Sequence, residues 1–301
     1  MKIVETEDIK TFVAFPFDLY KGEPHFIDVK FMANATIKND PYWKVNKRAL
    51  FLAYEGKKVV GRIGAFTNKA HNEHWQDKVG FFGFFECINK KEVAEGLFSV
   101  AESWLKKQGC TEMRGPVNPS TNHTCGILID NFDKDPYIMM PYNFAYYDEL
   151  IKSCGLEKVK DLVAFERTDK EKMSDRMQKI IARIQKNPSI KMRHINMADF
   201  DNEVKRVCEI YNASWAQNWG FVPISKEEIE NTAKELRPIV KPELTAVCEI
   251  NGEVSAFAIS VPNMNRVLKE IRTGYTLGNL WRAFRAYRNI TDCRMMMLGV
   301  H

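Results

Sequence analysis

The stretch LFLAYEGKKVVGRIGAFTN, Leu50 to Asn68, decides the fold, because LTAVCEINGEVSAFAISVPN, Leu244 to Asn263, aligns with it through a single gap. In each copy an apolar, β-rich run reaches a glutamate (Glu55, Glu249) and passes a tight turn at Gly56 or at Asn251-Gly252. It then resumes at Val60 or Val254 and ends on asparagine. Both copies predict an antiparallel hairpin, and a buried strand follows each, Val79 to Ile88 and Arg294 to His301. The repeat period is roughly 195 residues, long enough for each copy to be a lobe of its own.

Outward from the first hairpin, Asn89 is placed to cap a helix that turns Val93, Leu97, Ala101, Trp104 and Leu105 inward and exits at Gly109. A short strand, Cys110 to Arg114, leads into the polar loop Gly115 to Cys125. Asn143 then caps a helix carrying Tyr146, Tyr147, Leu150 and Ile151 that stops at Gly155, and a strand from Lys158 to Phe165 closes the lobe. Met173, Met177, Ile180, Ile181 and Ile184 recur at helical spacing within the charge-rich segment Thr168 to Pro188, which predicts a linking helix. The order then repeats as strand Lys191 to Ile195, helix Phe200 to Gln217, helix Lys226 to Leu236 and the second hairpin. A basic, aromatic insert, Asn265 to Asn289, precedes the last strand. The expectation is an α/β (α+β) protein with lobes at 1–167 and 189–301 joined by 168–188.

Composition agrees with a large packed core. Of 301 residues, 45% are apolar, 12% aromatic and 28% charged, with mean hydropathy −0.35, which excludes a disordered or collagen-like chain. The net charge of +5 is spread along the chain; it permits nucleic acid without implying it, and no nucleic-acid partner is expected. Apolar runs fall far short of the ~20 residues of a membrane helix and the N-terminus lacks a signal pattern, so the expectation is a cytoplasmic protein with no membrane partner. Seven widely spaced cysteines without a C-x-x-C pair read as reduced thiols. His71, His74 and Cys87 are low in information as metal ligands and no metal is expected. His123 beside Cys125 lacks a third orienting group.

The segment NFAYYDELIKSCGLEKVKDLVAF, Asn143 to Phe165, resembles the helix-strand ending of the GNAT superfamily, the acyl-CoA N-acyltransferase fold. GRIGAFTN, GFFGFFEC, MRGPVNPSTN and MMPYNFAYY resemble a bacterial branch of two-lobed acetyltransferases, over Leu50 to His301. The resemblance implies two tandem GNAT-like lobes, each a mixed, mostly antiparallel sheet flanked by helices. It implies acetyl-CoA or another acyl-CoA as co-substrate and a small-molecule or peptide amine as acceptor. The amine attacks the thioester directly in a ternary complex, with N-acetyl transfer as the first expectation.

In that family a Gly-rich loop after the fourth strand holds the pyrophosphate on backbone amides. After GFFGFFECI this chain instead has NKKEVAEGL with a lone Gly96, so the first lobe is expected not to hold CoA. The strand RMMMLGVH resembles the family's fourth strand, which assigns Leu298, Val300 and His301 to the pantetheine arm. Because the sequence stops at His301, the repeat predicts a second lobe truncated after its fourth strand and a parent of about 380 residues.

The resemblance also places Trp215, Asn218, Trp219 and Phe221 where the acceptor pocket is lined, although indoles at such positions equally pack a helix onto a sheet. Asn118 and Asn122, in a loop rich in turn residues, are further acceptor candidates. Glu86 and Tyr146 or Tyr147 lie where relatives carry a base and an acid; in a lobe without the CoA loop they are left structural, and no catalytic residue is assigned. The insert reads either as a basic lid over an acyl or acidic ligand or, more simply, as a solvated arginine face over packed aromatics. Two rivals stand beside the acyltransferase: a non-catalytic metabolite- or partner-binding protein, and a transferase using aminoacyl-tRNA or a long acyl-CoA.

Overall fold

The computed structural model describes residues 1–301. In chain order the elements are β1 (Lys2–Glu5), α1 (Ile9–Leu19), α2 (Lys30–Asn39), β2 (Arg48–Glu55), β3 (Lys58–Thr67), α3 (Lys69–Trp75), β4 (Val79–Cys87), α4 (Lys91–Lys107) and β5 (Glu112–Arg114). There follow β6 (Val117–Asn118), β7 (Thr124–Cys125), α5 (Tyr147–Ser153), α6 (Asp175–Gln185), β8 (Ile190–Arg193), α7 (Phe200–Ser214) and α8 (Lys226–Leu236). The last are β9 (Thr245–Ile250), β10 (Glu253–Pro262), α9 (Asn265–Ile271), α10 (Leu277–Arg288) and β11 (Cys293–Val300). The chain forms two compact units that interleave: unit 1 comprises 1–158, 219–228 and 263–291, and unit 2 comprises 159–218, 229–262 and 292–301.

Unit 1 is built on a sheet of order β1-β2-β3-β4-β5, antiparallel except for the parallel pair β4 and β5. Period-two patterning divides its side chains between two cores. Phe51, Ala53, Ile63 and Phe82 face α4, whose Val93, Leu97, Ala101 and Leu105 form one stripe, while Leu50, Leu52, Phe66 and Phe81 face Phe12 and Val13 of α1. Within β4 the parity slips: Phe81 and Phe84 share one face and Phe82 and Phe85 the other. The cause is a bulge, with Phe84 at φ 51° and the pairing with β3 shifted between Arg62 and Gly64.

Gly83 sits at that bulge because a Cβ there would lie 1.7 Å from the Val117 carbonyl oxygen. The helices predicted for unit 1 are present with shifted starts, whereas α7 and α8 begin at Phe200 and Lys226 as predicted. Lys90, not Asn89, precedes α4, and Asn143 does not cap α5 but spans the Leu128 backbone, accepting from its N–H at 2.7 Å and donating to its carbonyl at 3.1 Å.

Unit 2 carries a second sheet, β11-β10-β9-β8, entirely antiparallel, with α7 packed on it through Phe200, Val204, Val207 and Tyr211. Its hairpin turns where the sequence places it, Asn251 at φ 54° and Gly252 at φ 87°. Arg193 of β8 ties the layers together, donating to Glu203 of α7 at 2.8 and 3.0 Å and to Glu249 of β9. Unit 1 thus has the expected mixed, mostly antiparallel sheet and unit 2 a wholly antiparallel one, each flanked by helices.

Two further expectations are corrected. Lys158 to Phe165 forms no strand; its apolar residues are exposed, Phe165 at 94%, because no sheet edge pairs with this run and apolar content alone does not make a strand. The insert's aromatics are not packed beneath a solvated arginine face: Tyr275, Trp281, Phe284 and Tyr287 are all exposed, since α10 turns its small residues inward.

Candidate functional site

In unit 1, β4 and β5 pair only from Val79 to Phe81. Beyond that point the chain itself fills the opening. The Asn118 side-chain oxygen accepts the Phe84 N–H at 2.6 Å, so the backbone donor freed by the bulge is already satisfied. Asn118 is therefore a clasp on β4.

Behind the bulge lies a buried polar cluster. Tyr147 and Tyr20 donate to one carboxylate oxygen of Glu86 at 2.6 and 2.8 Å, and the Tyr147 oxygen also accepts the Cys87 N–H at 3.0 Å. Arg62 lies 3.9 Å from the other oxygen and donates to the Phe12 carbonyl at 2.8 Å. Burial pushes the Glu86 carboxyl upward against the pull of Arg62 and the two hydroxyls, and burial likewise raises both tyrosines. Asp28 joins the set, raised by burial to about 6 while the Arg62 charge opposes the rise.

Glu86 and Tyr147 were visible in the sequence; Tyr20, Asp28 and Arg62 were not, since nothing in their spacing links them. All but Asp28 have little exposed surface, and the hydroxyls and carboxylate are engaged with one another, so the cluster's chemistry is to hold charge and hydrogen bonds inside the unit. Tyr146 stands apart from the carboxylate, its hydroxyl donating to the Cys87 carbonyl at 2.7 Å. Burial first, then neighbouring Cys154 and Glu86, lifts the Cys87 thiol to about 12, which removes it as a thiolate nucleophile.

The loop from Gly115 to Gly126 holds a Ser-His-Asp chain that sequence spacing missed. Ser120 Oγ lies 2.9 Å from His123 Nδ1, and His123 Nε2 lies 3.0 Å from Asp40. Ser120 is 1% exposed and its Oγ also accepts the Asn122 N–H at 3.2 Å, so the arrangement braces the loop and presents no attacking oxygen. The same loop holds segment 219–228 within unit 1. Thr121 donates to the Gly220 carbonyl, and the Asn122 amide donates to the Val222 carbonyl at 3.1 Å. Phe221 is buried beside His74 at 5.0 Å between ring centres, and Trp219 is exposed with the Arg114 guanidinium 5.7 Å from its ring. A separate cleft of about 350 Å³ beside β5 is lined by Phe98, Leu105, Cys110, Met113 and Cys154.

In unit 2, β11 is an edge strand. His301 N–H donates to the Ser255 carbonyl at 2.8 Å, and Gly299 pairs with Phe257 in the same phase of the ladder. Antiparallel alternation therefore turns the main-chain groups of Leu298 and Val300 away from β10, toward the free edge. The Trp215 indole N–H, at the end of α7, donates to the Leu298 carbonyl at 2.8 Å. The structure thus brings together Trp215 and Leu298, two residues singled out separately in the sequence. Leu298, Val300 and His301 are exposed, and Asn218 is an exposed residue whose N–H closes a turn onto the Trp215 carbonyl at 2.8 Å. Of the candidate residues, then, Trp215, Leu298 and Val300 share one edge in unit 2, whereas Trp219, Phe221, Asn118 and Asn122 belong to unit 1.

No protein-family model matches the chain. Over 302 residues it is 32% identical to Protein YghO of Escherichia coli (strain K12), an alignment covering 97% of this chain and 76% of that one. It is 29% identical over 303 residues to the bacterial ceramide synthase of Caulobacter vibrioides, covering 97% and 78%. Among solved structures it is similar to a tandem GNAT protein from the clavulanic acid biosynthesis pathway, with TM-score 0.48, 11% identity, and 95% and 85% of the chains covered. It is also similar to the aminoglycoside 6'-N-acetyltransferase AAC(6')-IG of Acinetobacter haemolyticus, with TM-score 0.35, 14% identity, and 56% and 99% covered.

Proposed function

The chain belongs to the family of Protein YghO of Escherichia coli, and from that premise we propose that it is an acyl-CoA-dependent N-acyltransferase whose acceptor is the primary amine of a long-chain amino alcohol. A ceramide is such an amine carrying a fatty acyl group in amide linkage, and the relative named for its synthesis aligns with nearly the whole chain. This reading replaces N-acetyl transfer by transfer of a longer acyl chain.

The observation that carries the reading is the free edge of β11. Leu298 and Val300 present backbone donors and acceptors along a strand, which suits the amide-bearing pantetheine arm of a CoA thioester. When bound, the thioester would supply the activated acyl group. Trp215 fixes the Leu298 carbonyl and sets which of the edge groups remain for a ligand. In unit 1 the corresponding opening is filled by Asn118 and the Glu86 cluster is closed, which supports unit 1 as a scaffold.

The test is to incubate the chain with acetyl-CoA or palmitoyl-CoA and a long-chain amino alcohol, following amide formation by mass spectrometry and acyl-CoA binding by titration calorimetry. Amide product with palmitoyl-CoA in excess over acetyl-CoA is the expected result. Absence of binding by either thioester would overturn the proposal and favour a non-catalytic binding protein.

A further inference from the structure

Helix α10, LGNLWRAFRAYR, is amphipathic in the reverse sense of an ordinary surface helix. At 100° per residue Leu277, Leu280, Trp281, Phe284 and Tyr287 fall within an arc of about 120°, and this arc faces outward. Leu277 is 88% exposed, Trp281 61% and Phe284 59%, while the residues turned inward are Asn279 and Ala283. A contiguous stripe of this kind marks a surface that something else covers.

The helix is firmly mounted. Thr276 caps its N-terminus, and the preceding helix α9 is bound into unit 1. Lys269 pairs with Asp135 at 2.6 Å, Arg272 donates to the carbonyls of Glu23, Pro24 and Phe26, and the Asn265 amide donates to the Pro136 carbonyl at 2.7 Å. Lys269 and the adjoining Arg272 are thus engaged inside the unit. Two of the three arginines of α10 are not. It contains no acid; Arg282 is paired with Glu270, but Arg285 and Arg288 have no carboxylate partner: Arg285 flanks the apolar stripe, 5.8 Å from the Trp281 ring, and Arg288 closes its C-terminal end, 5.9 Å from the Phe284 ring.

We propose that α10 is an interfacial element that docks unit 1 on an anionic lipid bilayer. The stripe would enter the boundary between headgroups and acyl chains while Arg285 and Arg288 reach lipid phosphates. Leucine and aromatic residues on one face, with an arginine at its flank and another at its end, is the composition that binds such a boundary. Hydrocarbon accepts an irregular row of rings without a matching pocket, and phosphate complements both unpaired guanidinium groups. A second copy of the helix, with three arginines and no acid, would offer these guanidinium groups no counter-charge, which argues for a bilayer over self-association. The proposal stands independently of acyl transfer, because it concerns binding alone.

The test is co-sedimentation of the chain with vesicles of phosphatidylcholine alone and of phosphatidylcholine with 30% phosphatidylglycerol, at low and high salt. Expected is binding to the anionic vesicles that weakens with salt, falls about thirtyfold in Arg285→Gln/Arg288→Gln, and is lost in Leu277→Ser/Trp281→Ser/Phe284→Ser. Circular dichroism verifies that these exposed substitutions leave the fold intact. Failure to bind anionic vesicles, or equal binding by the apolar-stripe variant, overturns the proposal. So does a dimer, seen by sedimentation velocity and abolished by the same variant, in a chain that ignores vesicles.

Discussion

Asp28 offers a direct test of the buried cluster. Its carboxyl is raised from 3.8 to about 6, mainly by burial, with the Val29 N–H at 2.7 Å and the Arg62 charge opposing the rise. An acid whose folded-state pKa lies above its unfolded value favours folding while it is protonated. That contribution is complete below about 3.8 and is lost as pH climbs through about 6. At 1.36 kcal/mol per tenfold change in proton affinity, the difference amounts to about 3 kcal/mol. This is an upper bound, because Asp28 keeps part of its surface in water. Asp28→Asn retains the acceptor for Val29 and discards the charge. The variant should therefore match the parent at pH 4 and exceed it by about 2–3 kcal/mol at pH 8. Urea unfolding followed by circular dichroism across that range measures the difference. Parallel pH profiles, or a variant weaker than the parent at pH 8, would refute the assignment of a desolvated carboxyl at this position.

Three further outcomes follow from the packing. Gly83→Ala places a Cβ 1.7 Å from a carbonyl oxygen and should cost at least about 4 kcal/mol, whereas Gly96→Ala meets only flexible ends, Ile3 Cδ1 at 2.6 Å and Met1 Cε at 2.9 Å, and should be near neutral in thermal melts. Arg193→Ala strands the buried Glu203, which keeps only Arg206, and is expected to lower stability by about 3 kcal/mol in urea titration. Trp215→Phe keeps the ring beside Tyr211 but loses the bond to Leu298; a loss of about 1 kcal/mol, seen as roughly fivefold faster hydrogen exchange in β11, is the predicted result.

What could be read from the sequence was what local chemistry dictates. Asn251-Gly252 and Gly56 supply positive φ where a hairpin must reverse, and the α4 stripe from Val93 to Leu105 repeats with the period of a helix. What could not be read depends on distant pairing. Tyr20 reaches Glu86 across 66 positions and Asp40 reaches His123 across 83, and no spacing rule connects them. The Phe84 bulge was hidden as well, because GFFGFFEC is apolar on both parities and a slip of one residue leaves no trace in such a run. Lys158 to Phe165 failed for the converse reason: its apolar pattern is real, but a strand is a relation between two segments. For the site, Leu298 and Trp215 were each singled out, and the indole bond that joins them needed the structure.

The interleaving of the two units bears on how the molecule is made. Segments 219–228 and 263–291 complete unit 1, so its first 158 residues leave the ribosome without two of their packing partners. Until residues 269 and 272 have been synthesised, Asp135 lacks Lys269 and the carbonyls of Glu23, Pro24 and Phe26 lack Arg272. Folding during synthesis must therefore hold unit 1 incomplete while residues 159–218 and 229–262 are being made, a stage at which a chaperone has the longest opportunity to act.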